Sequence, residues 1–299
     1  MRRFAVIEAP SILGLKPTGV EELPDALLRQ GLALRLGARH SGRIEPQAYS
    51  THRDPETRML NPQAIAEYSS RLARAVGRVL GAGQIPIVLG GDCSVLLGSM
   101  LALNWRGRYG LLFMDGHTDF YQPEANVNGE AASSELAFAT GRGPAILTTY
   151  EGRCPLVADA DVVAFGFRDQ EEAESYGSQP LPEEMKAFSL LEIRRLGAET
   201  AARKAVAYLA EQKIRGFWIH LDADVLNDAI MPAVDYRLAD GLTWIETEAV
   251  LRIALKSGMA AGLELTIQIQ NSTKTATLFA SMSTCFAGLW LLEIDSSLA

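Results

Sequence analysis

Six short apolar runs, at residues 4–7, 85–89, 111–114, 162–167, 217–221 and 263–267, alternate with longer stretches of helical periodicity. Runs of this length with no polar alternation describe strands buried on both faces, and a strand buried on both faces needs helices above and below it. Repeated β-α-β order then predicts a three-layer α/β/α fold around a central, mainly parallel sheet. The helix boundaries are written in capping chemistry. Asn61-Pro62 predicts a capped start to a helix running to about Leu80 and stopping at Gly81, and Thr243-Trp244-Ile245-Glu246 has the spacing of a capping box.

No repeat, low-complexity tract or Pro/Gly/Ser linker interrupts this rhythm, so one domain over residues 1–299 is expected. Two polar, proline-bearing stretches, 45–57 and 169–184, are expected as loops near a pocket mouth. Residues 275–292 carry no charge, but Thr275, Thr277, Ser281, Ser283, Thr284 and Gly288 break the run, which predicts a buried helix leading into a last strand, not a membrane span. The opening Met1-Arg2-Arg3 leads into only four apolar residues before Glu8, too few for a secretory signal.

Charge and cysteine content narrow the partners. Thirty-six acidic residues against 28 basic ones give a net charge of −8, which disfavours both nucleic acid and anionic membrane surfaces. Cys93, Cys154 and Cys285 are an odd number with no C-x-x-C pair, as expected of a protein in the reducing cytoplasm.

Three of the strand-like runs end in metal-capable side chains: Gly90-Gly91-Asp92-Cys93-Ser94, Asp115-Gly116-His117-Thr118-Asp119, and His220-Leu221-Asp222-Ala223-Asp224. Ligands of open α/β sheets bind beyond the carboxyl ends of the strands, so these three tips are expected to converge. If the backbone stays extended, Asp-x-His-x-Asp and Asp-x-Asp each present alternate side chains to one side. Carboxylates packed so closely repel one another and force protonation unless cations lie between them, and two divalent ions sharing bridging carboxylates are the natural count.

With these residues the chain resembles the arginase/agmatinase (ureohydrolase) superfamily over nearly its whole length. Ile7-Glu8-Ala9-Pro10 with Gly19-Val20-Glu21 is similar to the family's first strand and loop. Gly-Gly-Asp-Cys-Ser at 90–94 stands where the family has Gly-Gly-Asp-His-Ser, 115–119 where it has Asp-Ala-His-x-Asp, and Asp222-Ala223-Asp224 with Gly241-Leu242-Thr243 match its later motifs. The resemblance implies a usually oligomeric, here homo-oligomeric, enzyme with a binuclear manganese centre that hydrolyses a linear C–N bond of a small guanidino, amidino or related substrate, releasing urea, a urea-like product or ammonia. Carried over residue by residue, Asp115 and Asp222 bridge both ions, Cys93 and Asp119 complete one site, and His117 and Asp224 complete the other. Such a pair lowers the pKa of a water between the ions so that a nucleophile exists near neutral pH.

The departures from the family pattern shape the remaining expectations. Cys93 replaces a histidine, and a soft thiolate shifts preference from Mn2+ toward Zn2+ or Fe2+; the alternative is a buried thiol with no metal role. The family's next histidine is absent. Asn128 takes its place in this register, so general-acid help falls to Glu130 or a metal-held water, and Asp119 is counted with the catalytic set. Ile267 stands where a guanidinium-binding glutamate is expected and Ala233-Val234-Asp235-Tyr236-Arg237 replaces the family's Gly-Thr-Gly-Thr-Pro loop, so arginine is disfavoured and Asp235 or Glu124 is offered as a cation-binding group. Glu264 and His220 are expected to support the metal carboxylates from behind. The competing reading is a non-hydrolytic protein of the same fold whose degenerate metal site is structural or regulatory.

Overall fold

A computed structural model describes residues 3–267. The region 275–292, with its expected buried helix, lies outside the described residues. Within them the strands are β1 (Phe4–Glu8), β2 (Arg39–Arg43), β3 (Ile85–Leu89), β4 (Gly110–Met114), β5 (Val162–Phe165), β6 (Lys186–Phe188), β7 (Phe217–Asp222) and β8 (Ala260–Thr266). They form one sheet in the order β2-β1-β3-β8-β7-β4-β5-β6, with every pair parallel.

Because side chains alternate across a strand, each apolar run feeds two cores. Val6, Ile87, Leu112, Val163 and Ile219 face one side and pack with the helices Ala198–Glu211 and Trp244–Lys256. Ile7, Val88, Leu111, Phe113 and Trp218 face the other and pack with the helices Pro62–Gly81 and Val95–Asn104. Three layers follow directly. Helix Val95–Asn104 is nearly all buried, which its almost unbroken apolar sequence requires, whereas Pro62–Gly81 keeps a polar face to solvent.

Several local expectations need correction. Asn61 precedes the helix as read, but its side chain does not cap it. It sits at φ 48°, and its amide instead accepts from the Ser50 N–H at 2.7 Å and donates to the Leu13 carbonyl at 3.0 Å, tying two loops together. Thr243 and Glu246 do form the reciprocal capping box. The stretch 169–184 contains a helix, Gln170–Ser175, where only loop was expected. The fourth apolar run ends as strand at Phe165, because Gly166 turns at φ 103°.

The topology places the motif-bearing tips side by side. Met114 pairs with Leu221, Asp222 with Thr266, and Leu89 with Leu265, so the residues that follow β3 and β4 emerge at one level beside the ends of β7 and β8. The turn after β3 is made possible by Gly91, where a Cβ would lie 1.9 Å from the Ser11 carbonyl oxygen.

Candidate metal centre

Asp115 leaves β4 on the same face as Phe113, and Asp222 ends β7 on the same face as His220. The loops then cross. The Gly116 N–H donates to Asp224 Oδ1 at 2.8 Å, and His117 Nδ1 lies 2.7 Å from Asp224 Oδ2. Gly116 is required here, since a Cβ would meet Arg168 Nη1 at 2.6 Å and the Asp224 carbonyl at 2.8 Å. Arg168 in turn donates to the Asp224 carbonyl at 2.9 Å, fixing the second loop.

The 115–119 segment does not stay extended, contrary to the simple alternation expected of it. The His117 N–H folds back onto Asp115 Oδ1 at 2.7 Å, Thr118 donates to Asp169 through both its N–H and its hydroxyl, and Asp119 adopts φ 43°. Asp115 and His117 come together through a tight turn braced by Asp169, whereas Asp119 lies outside both donor groups and faces Glu135. The 222–224 segment behaves alike: the Asp224 N–H donates to Asp222 Oδ1 at 2.7 Å within a 3-10 turn.

Cys93 comes in from the β3 side. Asp92 is held by the Ser11 hydroxyl at 2.7 Å and by the Ser94 N–H at 2.9 Å, and this turn directs the Cys93 thiol to Asp222 Oδ2 at 2.7 Å. Two donor groups result, each with ligand atoms within 4.8 Å of one another: Asp115, His117 and Asp224 in one, and Cys93, Asp115, Glu135 and His220 in the other. Asp115 belongs to both.

Glu135 is the residue the sequence motifs did not single out. It opens the short helix Glu135–Ala139, is fully buried, and faces Asp119. Its signal was an acid leading an otherwise apolar segment, Leu136-Ala137-Phe138-Ala139, where solvation offers no reason for a charge. Two expected catalytic residues, Glu130 and Asn128, meet at the Tyr236 hydroxyl. Glu130 accepts from the Lys16 N–H at 3.2 Å and from the Tyr236 hydroxyl, and Asn128 Nδ2 donates to the same hydroxyl at 2.8 Å. Asn128 and Tyr236 line the pocket over the acids, whereas Glu130 stands behind Tyr236. Asp235 also lines the pocket and accepts from the Thr18 hydroxyl at 2.6 Å; Glu124 lies outside it, on the surface near Asp54 and Arg58.

The electrostatics are those of a cage made for cations. Burial, then Asp224, raises the Asp115 carboxyl to about 6. Burial also pushes up Asp119, Asp222 and Glu135, and neighbouring acids, Glu135, Asp224 and Asp115 respectively, push them further. Burial disfavours a charged His117, but Asp224 outweighs it and lifts the imidazole to about 10, while the same pairing holds Asp224 below the usual carboxylate range against its burial. Burial and then Asp222 raise the Cys93 thiol.

Asp115 Oδ2, both Glu135 oxygens and His220 Nε2 are buried with no hydrogen-bond partner among the described residues. Each such group costs about 1–3 kcal/mol if left unsatisfied, so four at one point fit a bound cation and not an empty core. The donor chemistry agrees, with oxygen and nitrogen in one group and oxygen, nitrogen and sulfur in the other.

An all-parallel α/β sheet with acid, imidazole and thiol donors gathered at adjacent strand tips, beneath a single pocket, defines a metal-dependent hydrolase of the ureohydrolase type. The chain belongs to the arginase family, whose model matches residues 2–287. It is 28% identical to the arginase of Bacillus caldovelox over 293 residues, covering 94% of this chain and 97% of that relative. It is 29% identical to human arginase-1 over 273 residues, covering 88% and 84%. The solved native structure of the B. caldovelox arginase superposes with a TM-score of 0.84 at 27% identity, over 96% of this chain and 98% of that one. The family is dependent on a binuclear metal centre, usually manganese. Among the described residues no helix is long and apolar enough to cross a membrane.

Proposed function

We propose that this chain is a single-domain amidinohydrolase that cleaves a C–N bond in a small guanidino or amidino compound over a pair of divalent ions. The observation that carries this reading is Asp115, shared between two donor groups, beside the pocket that His117 and Asp224 line. His117 and Asp224 would hold one ion with it, and the group containing Cys93, whose thiol lies 2.7 Å from Asp222 Oδ2, would hold the other. When bound, the pair polarises the substrate and activates water at neutral pH.

The chain's own residues then divide the remaining work. Asp119 lines the pocket and lies against Glu135, a position from which its carboxyl hands a proton to the departing nitrogen. Tyr236, fixed by Glu130 and Asn128, forms part of the wall and orients the bound molecule. The wall also carries the apolar Leu15, Ala132 and Ile267, so no glutamate grips a guanidinium at position 267. Glu172 and Asp235 add negative charge to the lining, which favours a substrate carrying a cationic group away from the scissile bond. Arginine is therefore a poor fit at its head group. Cys154, an exposed free thiol, accords with a cytoplasmic setting, and the enzyme is read as a homo-oligomer by likeness to its family.

The test is a panel of guanidino, amidino, ureido and hydroxyguanidino compounds, each assayed for urea or ammonia release with Mn2+, Zn2+ and Fe2+. Turnover of at least one compound, faster than arginine, is expected. A fully metal-loaded protein inert to the whole panel overturns the reading in favour of a non-hydrolytic role.

A further inference from the structure

Resting on the reading of this site as a dication centre, we infer that the ion on the Cys93 side is a four-ligand site of this chain's own, held by Cys93, Asp115, Glu135 and His220 and suited to a borderline ion such as Zn2+, Co2+ or Fe2+. A cysteine in place of the loop histidine removes one imidazole from the β3 side. His220 supplies another from β7, two residues before Asp222. Its Nε2 is fully buried, has no hydrogen-bond partner among the described residues, and lies 3.7 Å from Asp115 Oδ2, which has none among them either.

The ring is prepared as a ligand. His220 Nδ1 lies 2.7 Å from Glu264 Oε1, whose other oxygen accepts from the Ser99 hydroxyl at 2.5 Å. A carboxylate on Nδ1 fixes the tautomer that leaves the Nε2 lone pair free, the arrangement that metal-bound histidines use. Register explains the alignment, because Phe113, His220 and Glu264 are direct neighbours on β4, β7 and β8. Phe113 stacks on the imidazole with centroids 4.7 Å apart and planes within 7°, so the ring cannot turn aside. Glu135 brings to the same point two more fully buried oxygens without a hydrogen-bond partner among the described residues. Sulfur, nitrogen and two carboxylates form a compact set softer than manganese prefers.

The experiment is Co2+ titration of the chelator-treated full-length chain, reading bound ions per chain and the near-ultraviolet thiolate-to-cobalt band. The wild type is expected to take two ions with the band present. Glu135→Gln, His220→Gln and Cys93→Ser are each expected to fall to one ion and lose the band. If Glu135→Gln and His220→Gln both keep two ions and the band, this ligand set is overturned while the wider dication reading stands. A wild type that binds no ion overturns both. Because His220→Gln also breaks the buried contact to Glu264 on which folding draws, a second measurement is made on His117→Ala, which deletes the other imidazole of the site. X-ray absorption on its bound ion is expected to show sulfur together with imidazole, and sulfur without imidazole overturns the assignment.

Discussion

His117 Nδ1 and Asp224 Oδ2 meet at 2.7 Å across the gap between the loops that follow β4 and β7. The contact joins two motifs 107 residues apart in sequence and defines the outer half of the metal cage. Asp224→Ala is expected to remove one ion per chain and abolish turnover, whereas Asp115→Ala, which removes the shared carboxylate, is expected to remove both. Elemental analysis of the two purified variants distinguishes them; equal losses would deny Asp115 its bridging place.

Removing the metals exposes a pH dependence of definite sign. Asp115 is raised from 3.8 to about 6 in the folded, metal-free chain, chiefly by burial. A carboxyl raised on folding binds its proton more tightly in the native state, so its contribution is complete below 3.8 and is lost as pH rises through about 6. Chelator-treated protein is therefore expected to melt at a lower temperature at pH 7 than at pH 5. Metal loading reverses the trend, because ions bind the deprotonated ligands. Thermal melts at several pH values, with and without Zn2+, check this.

Gly262 lies where a Cβ would come within 2.1 Å of Trp218, a fully buried indole in the sheet centre. Gly262→Ala is expected to cost about 1–3 kcal/mol through overpacking, without changing metal content. Urea denaturation measures the loss, and an unchanged midpoint would show that the indole moves aside freely.

Tyr236 donates to Glu130 and accepts from Asn128 at the pocket wall. Tyr236→Phe removes both hydrogen bonds, each of about 0.5–1.5 kcal/mol, from the wall that orients the substrate. KM is expected to rise about two- to tenfold with metal content unchanged, since the conversion is about 1.4 kcal/mol per decade. A fall in kcat alone would move Tyr236 from positioning to chemistry.

Much of this was legible in the sequence because burial on two faces leaves an unmistakable pattern. Apolar runs such as 85–89 and 111–114 gave strands at those positions, and the tips at 92–94, 115–119 and 222–224 were adjacent as the parallel order requires. What escaped was set by tertiary contact. Asn61 carries the composition of a cap, yet its amide is drawn to Leu13 and Ser50 by loops distant in sequence. Asp119 turns at φ 43°, so alternation along an extended chain does not describe its motif. Glu135 lies in no metal motif, its one sequence signal being a lone acid before an apolar segment, and Glu130 is drawn to Tyr236.

The central claim is that acids, imidazole and thiol from adjacent strand tips enclose two divalent ions. Elemental analysis of the full-length chain, purified without chelator and reloaded with Zn2+ or Mn2+, tests it most directly. The account predicts close to two tightly held ions per chain, both lost on replacing Asp115 with alanine; a wild-type chain that retains none under saturating metal contradicts it.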